Sequence, residues 1–339
     1  MKSTAALLAC AIAVAAAAQP ELAVRLADEI ERTRIALEAN ASTEDRATPM
    51  ARLERAKAAL DAGRVYLATY LAEMPWEAAK NFTLIKSSAD VTTTDAFVRK
   101  WAAMGEPRPI PAAPGTRIPA LVDALAAVAE ARGAVTYQAS RPYGEDSGVF
   151  GGLYYLADSH SVMQFAAMVR ALTWPATAPP PSFRSLSSEI AALDTEMTTA
   201  YEQMERANHP TYISASAALK QARTLNERGQ FSGALFEYLL SRYVFAPLRG
   251  PAAAEATPAR VVAARASLPA TADHSIAELF LQLADEGLAG SAEAQRRGAA
   301  AVLDDVVPAY LSAIAGPSAT TAAAGQATVT ITLVRWPFT

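Results

Sequence analysis

One cysteine, Cys10, and three histidines, His160, His209 and His274, are all the thiol and imidazole chemistry in this chain. A lone thiol excludes an internal disulfide and a C-x-x-C zinc pair. The histidines lie too far apart for local metal-ligand spacing, and each suits a helix surface or a helix end. Catalytic and cofactor signatures are missing as well, with no G-x-G-x-x-G, Walker lysine loop, G-x-S-x-G, S-x-x-K or H-E-x-x-H. No catalytic residue, metal or cofactor is therefore expected. Lys and Arg never cluster, and the formal charge is −4, so a nucleic-acid or anionic-bilayer partner is not indicated. The apolar run from Ala5 to Val14, even with the alanines through Ala18, falls short of the roughly 20 residues a membrane span needs and nothing later reaches that length, so an integral membrane protein is not expected.

What fills the chain is alanine. Hydrophobic residues make up 52% but aromatics only 7%, and alanine has the highest helix propensity while letting helices approach closely, so an all-α fold is expected. At 339 residues, one large or two medium helical domains with a sizeable core fit the length. Residues 1–18 join Lys2, the Ala5 to Val14 run and small Ala16 and Ala18 before Gln19-Pro20, the layout of a cleavable secretory signal. The alternatives are an Ala-rich first helix, a membrane anchor or a lipoprotein processed at Cys10, the last disfavoured because Cys10 cuts the apolar run in its middle. Loss of Lys2 takes the charge from −4 to −5 and removes the cysteine. The expected location is the bacterial cell envelope, periplasmic or secreted.

Leu219 to Tyr243 reads as an αα-hairpin. Leu219, Ala222 and Leu225 form one apolar stripe, Gly229 stands at the corner where φ > 0 is wanted, and Phe231, Ala234, Leu235, Tyr238 and Leu239 form the next stripe. Leu53 to Tyr70 matches it in one gapless register: Leu53, Ala56, Lys57, Gly63, Val65, Ala68 and Tyr70 against Leu219, Ala222, Arg223, Gly229, Phe231, Ala234 and Phe236. A third copy is split, with Leu125, Ala129 and Arg132 leading to Gly133 and the second stripe resuming at Gly148, Phe150, Gly152 and Leu153. The corners at Gly63, Gly148 and Gly229 recur roughly every eighty residues, longer than the usual helical-repeat period of about 34 to 47, so one period holds about four helices.

The run Gly229, Phe231, Ala234, Leu235, Tyr238 resembles the core of a tetratricopeptide repeat, with Ala222 at the small position of its first helix. The Leu53 copy departs from it, since Val65 replaces one aromatic and Ala72 the other, and no tandem array follows either copy. The resemblance implies stacked antiparallel helical hairpins whose grooves hold peptides or protein partners; it supplies no active site.

In chain order, a helix over Glu21 to Asn40 carries Leu22, Leu26, Ile30 and Leu37, and Met74-Pro75-Trp76 interrupts the second helix of the Leu53 hairpin. Thr94 and Asp95 cap a helix with Phe97 and Trp101. Helices are expected over Ile118 to Arg132 and Ser147 to Leu172, then from a Ser185 cap through Met204 to a stop at His209-Pro210. Asp273 to about Ala289 follows, then a last helix capped by Ser291 and bent at Pro308. Proline-rich joints divide four helical modules, 19–105, 118–172, 183–247 and 271–315. Residues 316–339 hold a Ser/Thr/Ala/Gly tether and an alternating segment, Thr328 to Val334, which reads as a strand that adds to a partner, folds back on the helices or frays.

Two surfaces are candidate sites. The stretch Tyr137 to Phe150 reads as a long polar loop concentrating Arg141, Tyr143, Glu145 and Asp146, with Tyr154, Asp158 and His160 on the next helix to extend it. The plain alternative is a solvated loop whose acids favour a helix N-terminus. Tyr66, Tyr70, Arg242 and Tyr243, on successive second helices, are expected to line a groove for a peptide or protein partner. Two functions follow. One is an exported, non-catalytic helical-repeat scaffold for protein binding. The other is an envelope enzyme acting on glycans, with Glu145, Asp146 and His160 as its acid/base group.

Overall fold

The computed structural model describes residues 2–314 apart from 114, 176–177, 203 and 250–254, with side chains described from Glu21 onward. The side chains of the expected leader and the C-terminal strand over 328–334 lie outside what is described. The fold is all-α: α1 (Lys2–Asn40), α2 (Thr43–Asp61), α3 (Val65–Ser87), α4 (Thr94–Met104), α5 (Ala120–Asp146), α6 (Val149–Ala171), α7 (Ser187–Tyr201), α8 (His209–Glu227), α9 (Phe231–Phe245), α10 (Pro258–Ser267), α11 (Ser275–Ala289), α12 (Glu293–Ala301) and α13 (Val307–Ile314). No strand occurs among the described residues.

Three antiparallel pairs, α2–α3, α5–α6 and α8–α9, form the frame. The first and third turn their corners with the same hydrogen bonds. Arg64 N–H reaches Ala59 O at 2.8 Å and Gly63 N–H reaches Leu60 O at 2.9 Å; Gln230 N–H reaches Leu225 O at 2.9 Å and Gly229 N–H reaches Asn226 O at 3.1 Å. Both are Schellman motifs, which need a left-handed residue, and Gly63 and Gly229 each have φ of 73°. At the middle pair Gly148 also has positive φ, 115°.

The apolar stripes then meet in one core. Leu53, Leu67, Leu121, Leu125, Leu225, Ala234 and Phe280, all at most 2% exposed, belong to one continuous cluster, and burying each Leu or Phe stabilises the fold by roughly 1.5–3 kcal/mol. Helix α11 lies against α3 and α5, and its neighbourhood caps them from far away in sequence. Neither α3 nor α5 has a local side-chain cap. Instead Leu67 N–H donates to Gln282 Oε1, Ala120 N–H to Asp273 Oδ2 at 2.6 Å and Leu121 N–H to Ser275 Oγ at 2.9 Å. These bonds satisfy helix-start donors that would otherwise be buried unpaired.

Several boundaries differ from the sequence reading. No loop spans Tyr137 to Phe150: α5 continues through Pro142 to Asp146 and the chain turns at Ser147-Gly148. Packing outweighs the proline, because Tyr137 stacks on Trp101 at 5.0 Å and Gly144 lies face to face with Phe97 and Gly152. Gly133 is a close-packing point against Val162 and Met163 rather than a helix end. Pro75 does not interrupt α3. Its missing N–H leaves the Leu71 carbonyl free, and Arg52 Nε donates to that oxygen at 3.2 Å. His209-Pro210 opens α8 rather than closing α7, since proline suits the first helical turn. Thr93, not Thr94, caps α4, its Oγ1 accepting from Ala96 N–H. Leu186 stands at the start of α7 and Ala292 at that of α12, displacing the expected Ser185 and Ser291 caps. Before Pro308 a π-helical turn over Val302–Val306 joins α12 to α13, and widening that turn relieves the clash a proline makes with the carbonyl four residues back.

Candidate functional site

Where α3, α5, α6 and α9 meet, charged side chains enter the protein interior. Glu73, Glu77 and Asn81 repeat every fourth residue on α3 and so share one face. Arg132 comes from the middle of α5, Asp158 from α6 and Glu237 from α9. Glu77, Asp158, Asn81 and Glu237 are only 3%, 5%, 5% and 6% exposed.

Arg132 is the hub. Its guanidinium donates to Glu77 Oε2 at 2.8 Å and grips Asp158 with both Nη2 (2.5 Å) and Nε (3.3 Å), the planar fork matching a carboxylate's two oxygens. Burial opposes the charge on Arg132, but Glu77, Asp158 and Glu73 outweigh it and hold the guanidinium protonated. One arginine cannot neutralise every acid around it. Desolvation pushes Glu77 up to about 8, against the pull of Arg132 and with Glu73 and Asp158 adding to the rise. Glu237 is pushed to about 8 by burial and then by Glu73, and burial raises Glu73 too, against Arg132 and Arg52. At neutral pH Glu77 and Glu237 therefore hold protons.

The charged cluster reaches the surface at two places. Arg132 keeps 40% of its side-chain surface open, to a cleft of about 690 Å³ between α5, α7 and α8 lined by Ala131, Val135, Tyr212, Ile213, Ala217 and Lys220. On α6, Tyr154 is 46% exposed one turn before Asp158, and its phenol is raised by burial first and then by Asp158. Among the described residues no three His, Cys, Asp or Glu side chains converge closely enough to hold a metal ion.

Of the residues singled out in the sequence, Asp158 belongs to this cluster and Tyr154 stands at its edge. Tyr70 borders it, with the Arg52 guanidinium 5.0 Å from its ring centroid and burial raising its phenol. The others lie elsewhere. Tyr66 stacks on Trp174 at 5.9 Å, Tyr243 packs on Phe280 at 6.1 Å, and Arg242 pairs with Asp305 while donating to Tyr238 Oη at 2.7 Å. Tyr66 is thus covered by Trp174, Tyr243 by α11 and Arg242 by the turn before α13, so with Tyr70 they line no single open groove. Arg141 pairs with Glu145 at 2.9 Å, Tyr143 packs on Tyr155 at 4.5 Å, and Asp146 is exposed. His160 is held by the Gly105 carbonyl at 3.2 Å. Glu145 is taken up by Arg141 and His160 by the Gly105 carbonyl, and the three residues share no hydrogen bond or ion pair among the described residues.

Glu73, Glu77, Asn81 and Glu237 are not among the residues the sequence singles out, and Arg132 enters there only as part of a hairpin pattern. Their signal was legible: each is a charged or amide side chain inside an otherwise apolar helical stretch, and a buried charge needs partners. Searches of protein-family models, curated proteins and solved structures find no match to this chain.

Proposed function

We propose that this chain is an exported, non-catalytic helical-hairpin scaffold that holds a peptide segment of a partner protein in the cleft between α5, α7 and α8. The observation carrying this reading is the double-sided apolar character of α8. Ala215, Ala218, Leu219, Ala222 and Leu225 are buried in the core, yet Ile213 is 45% exposed on the other face, and Val135 opposite it on α5 is 41% exposed. Ile213, Ala217 and Lys220, at spacings of four and three, make a second stripe that leaves apolar surface unpartnered across a concave wall. Such a groove suits an amphipathic helix laid apolar side down. Lys220 at the rim, exposed and without an ion pair among the described residues, favours an acidic residue on that helix. The tetratricopeptide-like corners at Gly63 and Gly229 fit the same reading, and the leader-like residues 1–18 fit export to a periplasmic or secreted location.

The test is selection of phage-displayed random peptides on the full chain. Peptides that compete with one another, bind wild type and lose at least tenfold affinity on Ile213→Asp but not on Val262→Asp, an exposed control on α10, would support the cleft. Enriched peptides indifferent to Ile213→Asp and Val135→Asp would exclude it. Export is checked separately by the intact mass of the mature chain, expected to lack the first 18 or so residues.

A further inference from the structure

Behind Arg132 the acids outnumber the cations acting on them. Glu73, Glu77, Asp158 and Glu237 share the field of Arg132, with Arg52 reaching Glu73 alone of the four. Neither Glu73 nor Glu237 accepts a hydrogen bond from any described residue. Two further acceptors there are also unpartnered and sealed from water: Glu77 Oε1 and Asn81 Oδ1. Asn81 is no acid, is 5% exposed, and places its Nδ2 3.5 Å from Asp158 Oδ1, so its free oxygen belongs to the same wall. Buried acceptors without donors are uncommon, and two of them one turn apart on α3, beside further acids, ask for a ligand rich in N–H groups and positive charge.

We propose that this buried acidic cluster binds a primary alkylammonium group, whose three N–H donors are taken by Glu77 Oε1, Asn81 Oδ1 and the carboxyl of Glu73 or Glu237. The chemistry selects this ligand over its rivals. An anion would meet acids on every side. A metal ion needs three converging ligands, and none converge among the described residues. An ammonium fits because it brings both N–H donors and a positive charge to acceptors that lack them, with no demand for a metal's tight coordination geometry. The alkyl chain would leave past Arg132 or Tyr154, the two open side chains of the site.

Binding should release a proton. The groups facing the site are Arg52 on α2, Tyr70, Glu73 and Glu77 on α3, Arg132 on α5, Tyr154 and Asp158 on α6, and Glu237 on α9. Of these, Glu77 and Glu237 are protonated at pH 7 in the empty site. An incoming ammonium makes the carboxylate form of whichever acid it touches favourable, and the displaced proton passes to buffer.

The ammonium has two sources, a free alkylamine or the lysine side chain of a peptide; the second would extend the cleft reading and the first is independent of it. Titration calorimetry of the full chain at pH 7, in two buffers of different ionisation enthalpy, separates them. The probes are n-butylamine, 1,4-diaminobutane, Nα-acetyl-lysine methylamide and tetramethylammonium. We expect saturable binding of at least one primary amine with release of up to one proton, no binding of tetramethylammonium, and about a tenfold loss of affinity on Glu77→Gln. Asn81→Leu keeps the Arg132 ion pairs and should weaken binding similarly, so it reports even where Glu77→Gln disturbs folding. Val262→Asp, on α10 and outside that cleft, should leave butylamine and diaminobutane binding unchanged. The proposal is overturned if no primary amine binds at millimolar concentration, if tetramethylammonium binds as well, or if folded Glu77→Gln and Asn81→Leu chains bind like wild type.

Discussion

Gly144 and Gly152 face each other across the α5–α6 pair so closely that a β-carbon built on Gly152 would lie 2.5 Å from the Gly144 Cα. Phe97 of α4, fully buried, fills the remaining space with its ring against both glycines. Because the obstacle at Gly152 is backbone, no rotamer change removes it, and the two helices must separate to admit a methyl group. Gly152→Ala should therefore lower stability by about 2–3 kcal/mol, near the top of the overpacking range. Gly151→Ala, one residue away with open space around it, should cost nothing measurable. Urea denaturation of the two variants checks the pair.

At Gly63 and Gly229 the argument is conformational instead. Nothing lies within 4 Å of an added β-carbon at either position, but both have φ of 73°. Alanine there should cost roughly 1–2 kcal/mol, through left-handed strain alone. Asparagine, which tolerates that region better, should recover part of the loss at both corners. Equal behaviour of the two sites in thermal melts would support their shared corner geometry, whereas a large loss at one alone would argue against it.

These two corners were readable in the sequence because a Schellman turn is local: an apolar stripe, a glycine and a second stripe suffice. The helix type was readable for the same reason. What escaped was set by distant partners. Pro75 reads as a break until Arg52, on the preceding helix, is seen to take the carbonyl that the proline leaves free. The starts of α3 and α5 read as uncapped because Gln282, Asp273 and Ser275 lie more than 150 residues away. The charged cluster is half legible. Asp158 and Tyr154 were noticed by their spacing, while Arg132 was read only as part of a hairpin pattern, since four helices must assemble before its carboxylates meet.

Arg132 holds that assembly together. Arg132→Met keeps much of the apolar stem but leaves the Asp158 carboxylate without its cation inside the protein and Glu77 without its donor, which should cost about 3–5 kcal/mol. Asp158→Asn in the same background should recover some of that loss, because the uncompensated charge disappears along with the pair. A double-mutant cycle from urea midpoints measures the coupling, expected to be at least about 1 kcal/mol. Strict additivity would mean that the two groups do not interact in solution.

The raised acids set a direction for pH. Glu77 and Glu237 bind protons up to about pH 8 in the folded chain, whereas in the unfolded chain they lose them near the ordinary glutamate value of about 4.3. Between those limits the folded state holds more protons than the unfolded state, so their contribution to stability is fully present below about pH 4 and declines as pH rises through 8. The slope is at most about 1.4 kcal/mol per pH unit for each group. Urea midpoints should therefore fall from pH 5.5 to pH 8.5 in the wild type. The double variant Glu77→Gln, Glu237→Gln, which keeps neutral side chains of the same shape, should flatten that fall and be relatively most stable at the alkaline end. A midpoint that rises across this window, or a slope unchanged in the double variant, would show that these acids are ionised in the folded chain and that Arg132 alone satisfies them.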